Sequence, residues 1–289
     1  MIADRGWVSD SHLAELFVAL FDDAAMFPPR DMALNDAVRG HYRHRMAWYS
    51  ELVGPFVCLA GRLPSLDALA GSLGIGRIEV SAVVPEGIGA APAIAQAARG
   101  WRHVQLRALE VPLAAEGLPA ALRTLSVLAT EDRAVYLEIE PSAITERVAH
   151  KLAPSGIRLK LRTGETLIDA FHTESELARA LVLCAAERLA FKCSAGLHQA
   201  VRHRDSDTFF QHHGFLNIAL AARVAAATGN VNSTRAVLAQ RDPRAIAYLI
   251  ADLTTSDVRA IRAVFSCVST HNVGEPLRDL IELGLVVGR

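Results

Sequence analysis

Lysine is almost missing from this chain. Of 30 Lys+Arg residues only three are lysine, Lys151, Lys160 and Lys192, and arginine takes every other cationic position. A solvated charge can be either residue, so the places where lysine survives carry weight: lysine can lose its proton when desolvated, and arginine cannot. Net charge is missing too, at formal −1. That excludes the basic field of a nucleic-acid binder and the polybasic patch of a membrane-surface protein. No apolar run reaches the ~18–20 residues of a membrane span. The cysteines, Cys58, Cys184, Cys193 and Cys267, show no CxxC spacing and read as reduced thiols of a cytoplasmic protein. MIADRGWVSDSHLAELF has no basic region before an apolar core, so no signal peptide is expected. Tandem repeats, low-complexity tracts, GxGxxG and P-loop motifs are all lacking, which counts against solenoids and Rossmann folds.

What is present is a regular alternation of short apolar segments and helical stretches. Hydrophobic residues make up 51% of the 289 residues, enough for a large core. Ser9-Asp10-Ser11 is a helix start, and an N-terminal helix is expected over 9–21, followed by a second over Leu34–Leu52. Seven strands are read at Pro55–Leu63, Arg77–Pro85, His103–Val111, Ala134–Pro141, Ile157–Arg162, Leu189–Ser194 and Ala263–Thr270, with helices between them. An eighth is expected near Phe21–Ala25. Such βαβ alternation implies a parallel sheet, and eight strands would close a (β/α)8 TIM-type barrel as one domain over 1–289, with a helical elaboration at about 205–252.

The strand faces favour the barrel over an open doubly wound sheet, whose strands would be apolar on both sides. Val135, Leu137 and Ile139 alternate with Tyr136, Glu138 and Glu140. Ile157, Leu159 and Leu161 alternate with Arg158, Lys160 and Arg162. Val104, Leu106 and Ala108 oppose Gln105 and Arg107, and Leu189, Phe191 and Cys193 oppose Ala190, Lys192 and Ser194. The polar faces would converge on the axis of a closed barrel, which is ordinarily filled by apolar side chains. A polar lumen signals a site, or a set of ion pairs that satisfy one another.

Lys160 and Lys192 would then point inward from neighbouring strands. Burial and like charge both lower a lysine pKa, which makes a nucleophile towards carbonyls. The competing reading has Glu138, Glu140 or Glu79 neutralise them in a structural network. His198, His203, His212 and His213 follow the seventh strand, where a barrel carries its catalytic loops. With Glu138 and Glu140, the set Glu138, Glu140, His198, His203 and His212 could hold a divalent metal such as zinc, although no standard zinc spacing is present. His198 could instead act as a metal-free acid or base. Of Asp22-Asp23, one carboxylate would reach the mouth and the other cap the turn; Asp23 is taken as the substrate-side group. Ser269, His271 and Asn272 end the last strand and could bind an anion or substrate hydroxyls.

The segments LKLRTG (Leu159–Gly164) and FKCSAGLHQAVR (Phe191–Arg202) resemble class I aldolases of the (β/α)8 type, with deoxyribose-phosphate aldolase the nearest pattern. The resemblance implies a Schiff-base lysine at Lys160, a tuning lysine at Lys192, and a phosphate-side glycine turn at Ser194-Ala195-Gly196. It departs at the acidic residue of the fourth strand, where Arg107 and Glu110 stand without a clear counterpart, and at the C-terminal phosphate turn, replaced by Ser266–Pro276. The whole chain also resembles uncharacterised bacterial proteins carrying DDA-x-x-FPP, FK-x-x-AGLH and a near-C-terminal EP.

The expectation is therefore a lyase acting on a small polar carbonyl compound without a cofactor. Lys160 attacks, Lys192 depresses its pKa, Glu138 or His198 moves protons, and Arg162, Arg107, Glu140, Ser194, Asp23, Ser269 and His271 line the substrate. The alternatives are a metal-dependent lyase, isomerase or hydrolase using Glu and His residues, and a non-catalytic scaffold barrel. The alanine-rich tract Phe209–Ile250 would serve packing or a homo-oligomer contact.

Overall fold

The strands are, in chain order, β1 (Phe21–Asp23), β2 (Val53–Leu59), β3 (Ile78–Val83), β4 (Val104–Pro112), β5 (Ala134–Glu138), β6 (Arg158–Arg162), β7 (Phe191–Ser194), β8 (His203–Arg204), β9 (Gln211–His212) and β10 (Phe265–Thr270). In the computed structural model, which describes residues 8, 11–113, 117–164, 173–205 and 209–288, eight of them close into a barrel in the order β1-β10-β7-β6-β5-β4-β3-β2. Every barrel pairing is parallel. The fold is the expected (β/α)8 TIM type.

Helices α1 (Ala14–Phe17), α2 (Leu34–Met46), α3 (Leu63–Ser72), α4 (Ala91–Ala97), α5 (Gly117–Leu125), α6 (Glu146–Leu152) and α7 (Glu174–Ala186) precede β7. Helices α8 (Phe215–Thr228), α9 (Val231–Ala239), α10 (Pro243–Ala251) and α11 (Thr255–Val264) separate β7 from β10, and α12 (Gly274–Glu282) follows. Parallel neighbours need a long crossover, and the helices supply it. Their apolar stripes cover the outward strand residues: Val80, Leu109, Val135, Leu137, Leu159, Leu161, Phe191 and Phe265 are all fully buried. Each such side chain contributes roughly 1.5–3 kcal/mol.

Helix ends follow their local chemistry. Thr173 and Glu176 form a capping box on α7, and Thr254 and Asp257 form another on α11. Asn230 caps α9 and Asp242 caps α10, whose first residue is Pro243. Gly229 closes α8 in the left-handed region, at φ 59°.

Three boundaries differ from expectation. The N-terminal helix stops at Phe17, because Leu20 and Phe21 are drawn into the sheet: Val268 N donates to Leu20 O at 2.8 Å, and Phe21 pairs with Val268 and Val53. Ser9 and Asp10 lie outside the described residues. Helix α2 ends at Met46, where Ala47 turns extended. The tract after β7 opens with the antiparallel β8–β9 hairpin before it turns helical, and it continues through α11.

Candidate active site

Strand pairing sets the lysines side by side. Glu138 on β5 is level with Lys160 on β6, and Lys160 is level with Lys192 on β7. Both lysines are buried, Lys192 completely. They do not face one another bare. Glu110 of β4 lies between them, with Oε1 2.7 Å from Lys192 Nζ and Oε2 2.8 Å from Lys160 Nζ. Lys192 also reaches Asp22 Oδ2 at 2.6 Å, and Lys160 reaches Glu138 Oε2 at 2.8 Å. Arg162 NH1 stands 3.5 Å from Glu138 Oε1. Cys267 Sγ donates to Asp22 Oδ2 at 3.3 Å, and Ser81 Oγ donates to Glu110 Oε1 at 2.6 Å. The ring of Tyr136 lies 5.2 Å from Lys192 Nζ. The lumen thus holds a chain of alternating charge, Asp22, Lys192, Glu110, Lys160, Glu138 and Arg162.

Glu110 reaches this place through a β-bulge. Val80 pairs with Leu106, but Ser81 pairs with Ala108, so Arg107 is an extra residue in β4. Strict alternation would send Glu110 outward with Leu106. The bulge reverses the phase, so Leu109 and Val111 are buried towards the helices and Glu110 turns inward. Arg107 itself leaves the site. It is held at the N-terminal end of the barrel by Glu79 at 2.6 Å and Asp132 at 3.8 Å.

The pair Asp22-Asp23 divides as expected but with the roles exchanged. Asp22 enters the lumen. Asp23 accepts from Ala25 N at 3.2 Å and sits 3.1 Å from His41 Nδ1 of α2, outside the barrel wall. Gly54 of β2 lies beside Asp22, where a Cβ would collide with Asp22 Oδ1.

Ionisation follows from these contacts. For Lys160, burial favours loss of the proton, but Glu110 and Glu138 together outweigh it and raise the pKa. For Lys192, burial is likewise outweighed by Asp22 and Glu110. The expectation that Lys192 lowers the pKa of Lys160 is thereby corrected, because a carboxylate screens one ammonium from the other. Burial acts upward on Glu110, yet its two lysines hold it well below the usual carboxylate range. Asp22 is raised, since burial exceeds the pull of Lys192. Burial pushes Tyr136 up to about 12.

Around this chain the mouth is built by loop ends. Thr163 N and Oγ1 donate to Ser194 O and Ala195 O at 2.9 and 2.7 Å. That joins the Thr-Gly turn after β6 to the Ser-Ala-Gly turn after β7. Ala195 and Gly196 are both left-handed, at φ 63° and 73°. Ser269 follows Cys267 on the inner face of β10, and its buried Oγ has no hydrogen-bond partner among the described residues. Glu140 is exposed beyond the end of β5, at the start of the turn Pro141–Ala143, since the strand stops at Glu138. A groove along α2 lined by Asp36, Arg39, Tyr42 and Arg43 holds none of these groups.

The histidines separate into three sets. His198 Nε2 lies 3.1 Å from His271 Nδ1, and His271 Nε2 lies 3.6 Å from Glu275 Oε2. His203 and His212 stack across the hairpin at 5.3 Å. His213 is buried against Arg202 at 3.1 Å, and Arg202 in turn pairs with Glu174 at 2.6 Å. Burial and the neighbouring histidines lower His198 to about 3, so its imidazole is neutral. The set Glu138, Glu140, His198, His203 and His212 is not brought together: Glu138 is tied to Lys160, and Glu140 is at the surface. The groups to which sequence reasoning gave no role are Glu110, Tyr136, Cys267 and Glu275, and of the Asp22-Asp23 pair it chose the wrong member. The signal for Glu110 was an acid inside the apolar run Ala108–Pro112. No family model and no curated protein matches the chain.

Proposed function

We propose that the protein is a lyase of the class I aldolase kind, which forms a Schiff base between Lys160 and a small polar carbonyl compound. The observation that carries this reading is Glu110 set between two buried lysines in the barrel lumen. It supplies the acidic residue of the fourth strand that the aldolase resemblance implies. Six ionisable groups in a lumen usually filled with aliphatic side chains carry a heavy desolvation penalty, which a purely structural core has no reason to bear. Lys160 rather than Lys192 is the nucleophile, because Lys192 is enclosed by Asp22 and Glu110 while Lys160 borders the partly exposed Glu138 and Arg162.

Lys160 rests as an ammonium. It gives a proton to Glu138, 2.8 Å away, and its nitrogen attacks the carbonyl carbon. The carbonyl oxygen takes up that proton to complete a carbinolamine. Its hydroxyl then leaves as water, carrying a second proton returned through Glu138, and a cationic iminium remains beside Glu110. A carboxylate held in place by Lys192 and Ser81 stabilises that cation without reorganising. Glu138, again a carboxylate, takes the proton of the β-hydroxyl, whose oxygen becomes a carbonyl as the adjacent C–C bond breaks; that carbonyl fragment departs, and the electron pair of the bond enters the iminium to give an enamine. The enamine takes the proton back at carbon, and water hydrolyses the resulting iminium to release the second carbonyl product and free Lys160. Arg162 and Ser269 Oγ offer an anion contact and a hydroxyl contact to the substrate.

The complete pairing of both lysines favours a second reading, a non-catalytic binding barrel. Borohydride trapping separates the two. The protein is incubated with small aldehydes, ketones and keto acids, reduced, and measured by intact mass. A stoichiometric adduct on Lys160, absent from folded Lys160→Arg protein, is expected. Because the lysine pKa is raised, adduct formation should accelerate about tenfold per pH unit from neutrality upward. No adduct with any compound at alkaline pH would leave the binding barrel as the better account.

A further inference from the structure

Two imidazoles meet at the C-terminal end of the barrel, His198 and His271, with a nitrogen of each 3.1 Å apart. His198 follows β7 and His271 follows β10, so both leave the C-terminal ends of adjacent strands. Glu275 lies in the first turn of α12. Its Oε2 faces His271 Nε2 at 3.6 Å. On His198, Nδ1 lies 3.4 Å from Thr270 Oγ1. That hydroxyl donates to Asn272 O at 3.3 Å. With its single proton used there, it accepts from His198 Nδ1–H, and Nε2 of His198 is left as a lone pair. That lone pair meets His271 Nδ1 at hydrogen-bond distance, 3.1 Å, with the ring centroids 3.8 Å apart. With the His271 proton on Nε2 instead, both nitrogens are open to one cation.

We propose that His198, His271 and Glu275 form a binding site for a divalent cation of the zinc class. One ligand atom from each of the three lies within 4.8 Å of the others. Two imidazole nitrogens at 3.1 Å lie a few tenths of an ångström inside the about 3.3–3.4 Å between neighbouring ligands of a tetrahedral ion with Zn–N of about 2.0–2.1 Å. An oxygen of Glu275 completes a set of two imidazoles and one carboxylate, or the residue holds His271 from the outer side as carboxylates commonly do for metal-bound imidazoles. The donor set of two nitrogens and one oxygen suits zinc better than calcium or magnesium, which take oxygen. His271 is only 13% exposed and Glu275 33%, so the site is walled yet open to an ion and one or two further ligands. A metal held there would sit at the C-terminal ends of the neighbouring strands β7 and β10. The site stands on its own groups and does not depend on the lysine chemistry.

The test is calorimetric titration of the full chain with zinc after chelation, together with the visible spectrum of the cobalt(II)-loaded protein. One zinc per chain is expected, with ligand-field absorption in the cobalt form that signals nitrogen ligation. His271→Ala and His198→Ala should each abolish saturable binding, and Glu275→Gln should weaken it by about 10–100-fold. Lys160→Arg and His203→Gln should bind as the parent does. The cobalt spectrum of the parent needs no variant, so misfolding of a histidine variant cannot hide the answer. The proposal is overturned by absence of saturable zinc binding in the parent, by a cobalt spectrum of the hydrated ion, or by binding that survives in folded His271→Ala. Failure of borohydride trapping would not touch it.

Discussion

Glu110 is the residue on which the lumen depends. Two ammonium groups and a serine hydroxyl share its carboxylate, and all of it is withdrawn from water. Glu110→Gln removes one charge and leaves two buried cations poorly compensated. Breaking such a pair costs about 3–5 kcal/mol, readable as a lowered denaturation midpoint. Lys160 should also become more reactive to amine reagents near neutrality, since Glu138 alone then holds its proton against burial and Lys192. An unchanged labelling rate in the folded variant would show that Glu110 does not govern Lys160. The pH sign follows directly. Glu110 titrates in the fold below its free value of 4.5, so its stabilisation is complete above that value and is lost as pH falls through the folded pKa. The lysines titrate above 10.5, so theirs is complete below it and lost as pH rises. Asp22 runs the other way: its raised pKa opposes folding once it ionises. Asp22→Asn should therefore cost less stability at neutral pH than Glu110→Gln, and an equal or larger loss would contradict that balance.

At the scale of the element, β1 and β4 decide what the lumen contains. β1 is three residues long and still delivers Asp22, because it is hydrogen-bonded on both sides, by β10 and β2. A Cβ at Gly54 of β2 would collide with the Asp22 side-chain oxygen Oδ1, while the nearest backbone atoms stay at 3.4 Å. Gly54→Ala should cost about 1–3 kcal/mol by overpacking and should displace Asp22 from Lys192. Thermal melts that match the parent would mean the two strands part easily. The bulge in β4 explains why Glu110 escaped a reading based on alternation, whereas Glu138, Lys160 and Lys192 did not. Strands β5, β6 and β7 keep an unbroken register with one another, so period two predicts their faces. A bulge is a property of the pair β3–β4, and neither strand announces it alone.

Taken whole, the barrel separates chemistry from support. The lysines and their carboxylates fill the lumen and the histidine cluster follows the C-terminal ends of β7 and β10, while the Arg107, Glu79 and Asp132 group closes the opposite end. Two arginines that look equivalent in the sequence therefore carry different expectations. Arg107→Ala should cost no more than about 1 kcal/mol, given its exposed partners, and leave Lys160 adduct formation intact. Arg162→Ala should slow trapping of anionic keto acids while sparing neutral aldehydes. Rates that fall equally for both substrate classes would remove Arg162 from substrate recognition.

The order of strands and helices, the closed parallel barrel and the inward lysines were all legible in the chain, because each depends on local periodicity and on polar residues confined to one face. The partners of those lysines were not. Asp22, Glu110 and Lys192 are brought together across 170 and 82 positions, and a one-residue bulge and a glycine contact set which carboxylates arrive. The sign of the lysine pKa shift went with them: burial alone would lower it, and the carboxylates that reverse it are neighbours only once the barrel closes.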